Sequence, residues 1–197
     1  HSHNPGRTHK RGNEVKTMDD LAGLRVRAPS AATSMMLKQL GATPIGLPPT
    51  QVYENLQKGV IDGTIFPYDG VHGFKLAEVL DYHLDAKAYT TSFYFIMNEK
   101  KYNAFPEEIR AIIDDMSGAS LVAKFGPWWN NWDKPGLEDI KKKGSPVVVL
   151  DDSQRDEWRR ALEPTTANYL KSLEEAGVEN AQEIYDAAVK SIAKYEQ

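Results

Sequence analysis

Cysteine is absent from all 197 residues, which excludes disulfides, thiolate zinc sites and cysteine nucleophiles together. Long apolar runs are missing as well, and nothing approaches the ~20 residues a membrane-crossing helix requires. Basic charge is not in excess: 24 Lys and Arg stand against 28 Asp and Glu, a net charge of −4, so no basic field is available for nucleic-acid phosphates. Glycine-rich phosphate loops, HExxH and GxSxG are also absent. The chain opens HSHNPGRTHKRGNEVKT, without an initiator methionine or a secretory apolar region.

Composition otherwise suits a globular chain of one large domain or two small lobes, with 41% hydrophobic and 10% aromatic residues. In LAGLRVRAPS, Leu24, Val26 and Ala28 alternate with Arg25 and Arg27 at strand period. Ser30 can then cap a helix through Leu40, with Met35, Met36 and Leu40 at helical spacing and Gly41 as its stop. A strand over Thr43 to Leu47 leads to a second helix, capped by Thr50, with Val52, Leu56 and Val60 on one face. TIFPY forms the next strand, and Asp69 can cap a helix burying Val71, Phe74, Ala77 and Leu80. This alternation predicts an α/β lobe built on a parallel sheet.

AYTTSFYFIMN reads as one long strand crossing between lobes. A helix follows from Pro106 through Ile109, Ile112, Ile113, Met116 and Phe125, ending at Gly126-Pro127. SPVVVL is a further strand. The remainder is helical, with Trp158, Leu162, Tyr169 and Leu173, then Ile184, Ala188, Ile192 and Tyr195, as apolar faces.

Arg27 lies at the carboxyl end of its strand, the end that faces the ligand crevice in open α/β sheets, and a helix start follows at Ser30. Both features suit an anion, and a guanidinium fork matches a carboxylate. Spacing alone also allows a surface arginine paired with Asp19 or Asp20. Phe66, Pro67 and Tyr68 end their strand at the same edge, either as walls for a small organic acid or as core and turn residues. Trp128 and Trp132 share a helical face and could roof a ligand, although such a pair is more often core. The five histidines show no closely spaced ligand set beyond the N-terminus, where His3 could join backbone nitrogens around copper or nickel but more often marks a tag remnant, and Asp114-Asp115 and Asp151-Asp152 read as helix ends and caps. No catalytic residue, metal ligand or cofactor is assigned.

The combination of LRVRAP, LGATP, VYENLQKGVIDG and MNEKKYNAFPEEIR resembles the solute-binding proteins of tripartite ATP-independent periplasmic (TRAP) transporters, of the DctP type. The resemblance implies a type II periplasmic-binding-protein-like fold of two α/β lobes, crossing strands and a long interlobe helix. It implies a non-enzymatic, periplasmic role, with a small organic acid as ligand and a membrane permease as partner. Arg27 is then the carboxylate clamp, and Arg7 in PGRTH stands where a second arginine often contributes. Phe66, Tyr68 and Pro67, with Ser30 at the helix start, complete the candidate binding set.

Some sugar-acid members hold asparagine where this chain has Phe66, and a stacking phenylalanine where it has Pro49. Both departures favour a less polar acid, aromatic or branched. The resemblance divides the chain into a connecting strand (1–16), a ligand-binding lobe (17–88), a crossing strand, long helix and return strand (89–152), and C-terminal helices (153–197). It also implies that most of an N-terminal lobe precedes the residue matching His1. Two rivals remain: a small α/β enzyme acting on an organic acid, with Ser30, Thr33 or Ser34 nearest the pocket, or an interaction fragment that forms a homodimer.

Overall fold

Ser30 shows how local chemistry sets the first α/β unit in the computed structural model, which describes residues 1–194. Its backbone is extended (φ −151°), its hydroxyl accepts the Thr33 N–H, and Thr33 returns the bond to the Ser30 N–H, forming a capping box. β2 (Arg25–Ala28) therefore ends and α1 (Ala31–Gln39) begins at this point. Gly41, at φ 77°, turns the chain into β3 (Thr43–Gly46). α2 (Val52–Gln57), β4 (Gly63–Phe66) and α3 (Tyr68–Gly73) follow, before β5 (Tyr82–Tyr89).

β1 (Gly6–Lys10) changes the expected sheet. The order is β3-β2-β4-β1-β5-β6, with β6 at Val147–Val149. β2 runs parallel to β3 and β4, and β5 parallel to β6, but β1 is antiparallel to both of its neighbours. The sheet is mixed, because no crossover helix sets the direction of β1.

Side chains alternate across the sheet and divide the core in two. Val26, Ala28, Ile65 and Leu84 pack with Met36, Leu37 and Leu40 on one face, closed by Trp158 of α7 (Asp152–Glu175). On the other, Phe66 joins Val52, Leu56, Val71 and Ile140, the last from α6 (Ala119–Lys143).

Several expectations are corrected. A short 3-10 turn at Pro49–Gln51 precedes α2, so Thr50 is not its cap, and Ile61 rather than the half-exposed Val60 is buried. Pro67 precedes α3 directly, which puts Asp69 inside the first turn. The long strand is displaced: β5 stops at Tyr89, and Tyr94, Phe95 and Ile96 are over 80% exposed. Past Tyr89 the run pairs only briefly with the N-terminal residues: a bridge joins Ser2 to Ser92, the Phe93 N–H donates to the His1 carbonyl and the Thr91 carbonyl accepts the His3 N–H, and beyond Phe93 no ladder partner among the described residues continues it.

α4 (Glu99–Asn103) and α5 (Glu107–Asp115) precede a break at Gly118, whose φ is 65°, and α6 then passes through both Pro127 and Pro135. Trp128 and Trp132 stand half-exposed on α6, not in the core. α8 (Ala181–Ile192) leaves Ile184 and Ile192 exposed, and Tyr195 lies outside the described residues. No helix among the described residues is long and apolar enough to cross a membrane.

Candidate functional site

Strand register assembles the site. Arg27 pairs with Thr64, Thr64 with His9, His9 with His83, and Arg7 with Phe66, and residues opposite one another share a face. Arg27, Arg7 and Phe66 therefore look out of the same side of the sheet.

Arg27 is 3% exposed. Its Nε donates to the Leu47 carbonyl at 3.0 Å and a terminal nitrogen to the Ile65 carbonyl at 3.4 Å. Its guanidinium carbon lies 4.4 Å from the Phe66 ring centroid. Among the described residues no carboxylate pairs with it: Asp20 accepts the Lys16 and Thr17 N–H groups, and it is Arg25 that holds Asp62, at 2.7 Å. Burial lowers the Arg27 pKa, with Tyr89 acting in the opposite sense, yet a guanidinium starts so high that it stays charged at neutral pH.

Arg7 differs. It lies 4.2 Å over the Tyr68 ring, with Asp85 3.3 Å from Nε and Asp133 3.5 Å from a terminal nitrogen. Burial, and then Asp85, push the Tyr68 phenol up to about 12, so it remains a proton donor. Burial and Asp133 likewise raise the Asp69 carboxyl. Pro67 is buried at the β4–α3 corner, while Ser30 is exposed with its hydroxyl committed to the capping box.

Tyr89 was not among the sequence candidates. Between Gly6↔Tyr89 and Thr8↔Leu84 the register slips, and Lys87 takes a left-handed φ of 50° in this bulge. The ring is thereby laid over Gly6, where an added Cβ would meet it at 2.1 Å. Burial raises the Tyr89 phenol pKa, while Arg27, and more weakly Arg7, pull it down against Asp69.

Beneath Phe66 lies a histidine pair that sequence spacing did not show. His9 Nε2 faces the Phe66 carbonyl at 3.1 Å, which can only accept, so that nitrogen carries the proton. His9 Nδ1 then accepts from His83 Nδ1–H at 2.7 Å, leaving His83 Nε2 buried and unpartnered. Burial, assisted by Lys143, lowers the His83 pKa to about 4, and burial followed by His83 itself lowers that of His9. In the unfolded chain both protonate near 6.5. Stability is therefore full above 6.5 and is lost as pH falls from there toward 4. The melting temperature should drop across that window, with both ring signals failing to titrate near 6.5 by NMR; ordinary titration there would refute the buried pair.

Residues 3–172 match the family described as bacterial extracellular solute-binding protein, family 7, DctP. The chain belongs to this family. Two solved relatives of this DctP-family chain carry the comparison furthest. A marine metagenome TRAP solute-binding protein, from an unidentified microbe and described as specific for aromatic acid ligands, is 31% identical with a TM-score of 0.93. All of the present chain and 62% of that one are covered; its structure holds 3-hydroxybenzoate. A TRAP solute-binding protein of Rhodoferax ferrireducens, solved with copurified benzoate, is 28% identical with a TM-score of 0.92, covering 99% of this chain and 62% of that one. The C4-dicarboxylate-binding protein DctB of Bacillus subtilis is 28% identical over 163 residues, covering 79% of this chain and 45% of that one.

The DctP-family chain thus spans about half the length of its curated relatives. These relatives are solute-binding proteins and not enzymes. Accordingly, the hydroxyls nearest Arg27 serve the helix: Thr33 Oγ1 and Ser34 Oγ both donate to the Ser30 carbonyl. A groove of about 1060 Å³ lies between β5, α7 and α8 on the opposite sheet face and does not include Arg27, so chemistry and not size singles out Arg27.

Proposed function

We propose that the chain is the extracytoplasmic solute-binding component of a TRAP transporter, capturing a small aromatic carboxylate for a membrane permease. One observation carries this reading: Arg27 is a buried cation with no carboxylate partner among the described residues, stacked on Phe66. A buried charge without a partner is costly, and a ligand carboxylate would accept two parallel N–H bonds from the guanidinium. Phe66, Tyr68 and Tyr89 offer flat walls suited to an aromatic ring more than to a polyol. The 3-hydroxybenzoate and benzoate held by the two solved relatives support the same class. Ligand binding would then shift the protein toward a closed form that the permease distinguishes from the empty one.

A thermal-shift and calorimetry panel tests the assignment. Benzoate or 3-hydroxybenzoate at about 100 times its dissociation constant should raise the melting temperature by roughly 5–10 °C, with galacturonate silent. A uronic acid as the tightest ligand would sink the aromatic reading.

A further inference from the structure

The two arginines on the site face differ in what already answers their charge. Arg27 meets only carbonyl oxygens and a ring. Arg7 is flanked by Asp85 of β5 and Asp133 of α6, each residue 8% exposed. Asp133 is held in place from both sides: Asn4 Nδ2 donates to one oxygen at 2.8 Å, and the Asp69 N–H to the other at 2.9 Å. The Asp85 oxygen beside Arg7 has no hydrogen-bond partner, so its contact with Arg7 is ionic, without hydrogen-bond alignment. The guanidinium of Arg7 is also covered by the Tyr68 ring.

Among the described residues, one positive charge on this face of the sheet, that of Arg27, therefore lacks a carboxylate, and three carboxyl groups, those of Asp69, Asp85 and Asp133, cluster on the Arg7 side of it. A ligand with one carboxylate completes the balance at Arg27. A second carboxylate reaching toward Arg7 would meet like charge already in possession.

We propose that Asp133 and Asp85, by occupying Arg7, restrict the ligand to a single carboxylate. They are specificity-determining residues that act through Arg7 and do not touch the ligand. The inference rests on the proposed capture of aromatic acids and adds the number of charges such an acid can carry. Freed of its aspartates, Arg7 becomes a second cation one strand beyond Phe66 and admits a dianion.

The experiment is calorimetric titration with three probes: benzoate, benzene-1,3-dicarboxylate and the monomethyl ester of that diacid. The unsubstituted protein should bind the ester at least about tenfold more tightly than the diacid, since the two differ mainly in one charge. Asp133→Asn, in which Asn4 can turn its amide to keep the bond, should move the diacid-to-benzoate affinity ratio toward the diacid by at least about tenfold. Asp85→Asn should do the same from the other side, and circular dichroism establishes that each variant is folded.

A mere packing role for these aspartates would lower all affinities together and leave the ratio unmoved. Equal binding of ester and diacid by the unsubstituted protein, or an unmoved ratio in a folded variant, overturns the inference while benzoate binding stands. Failure of the unsubstituted protein to bind any of the three overturns the aromatic-acid reading and this inference with it.

Discussion

Arg27→Ala should reduce the affinity for benzoate or 3-hydroxybenzoate by roughly 30-fold to several thousand-fold. Removing one partner of a buried, hydrogen-bonded charge pair costs about 2–5 kcal/mol, and each ~1.4 kcal/mol is tenfold. The upper part of that range is expected because nothing else on this face can take over: Arg7 is already engaged by Asp85 and Asp133. Arg27→Lys should fall between, since an ammonium keeps the charge but loses the planar fork that reaches the Leu47 carbonyl and a ligand together. Calorimetry on the folded variants measures both, and an alanine variant within threefold of the unsubstituted protein would remove Arg27 from the role of clamp.

Gly136→Ala is the second large effect, and it concerns how the site is held together. A Cβ at Gly136 would lie 1.9 Å from the Tyr68 carbonyl oxygen and 2.6 Å from its carbon, both backbone atoms that no rotamer change can move aside. α6 would have to back away from α3. Overpacking of this kind costs about 3 kcal/mol, which for a chain of this size lowers the melting temperature by roughly 6–12 °C. Gly73→Ala supplies the control: it ends α3 with nothing within 4 Å, so the better helix former should be neutral or mildly stabilising. A Gly136→Ala melting point within about 2 °C of the unsubstituted protein would show that the helices separate at little cost. Because Asp133 sits one turn earlier and accepts the Asp69 N–H across the same junction, the retreat should also loosen Arg7.

What could be read in the sequence was local. The RVRA strand, the Ser30 cap and the Gly41 stop each depend on neighbours a few residues away, and all three occur. Asp151 capping α7 belongs with them. The place of Arg27 near the end of its strand, just before the helix start, was legible in the same local way and occurs as read, while its role as an anion clamp rests on the DctP resemblance.

Arg7 could be named only through that resemblance, and its partners could not, since Asp85 and Asp133 come from distant elements joined by tertiary packing. Tyr89 was hidden by a bulge that no turn residue announces; Lys87 simply takes a left-handed backbone. The misplaced long strand has a related cause: aromatic and β-branched residues mark what could pair, and pairing depends on a neighbour elsewhere in the chain. α6 continues through Pro135 where it packs on α3, and through Pro127 where Phe125 and Trp129 stack on His1, contacts that outweigh the local cost of each proline.

The central antiparallel strand also governs the order in which the molecule can assemble. β1 precedes the other five strands of this sheet in the chain, yet His9 meets Phe66 and His83, which lie 57 and 74 residues further along. Without β1 in place, β3-β2-β4 and β5-β6 are separate ribbons with open inner edges, and residues 6–10 bridge them. Closing loops of that length makes the bridge a late and slow event.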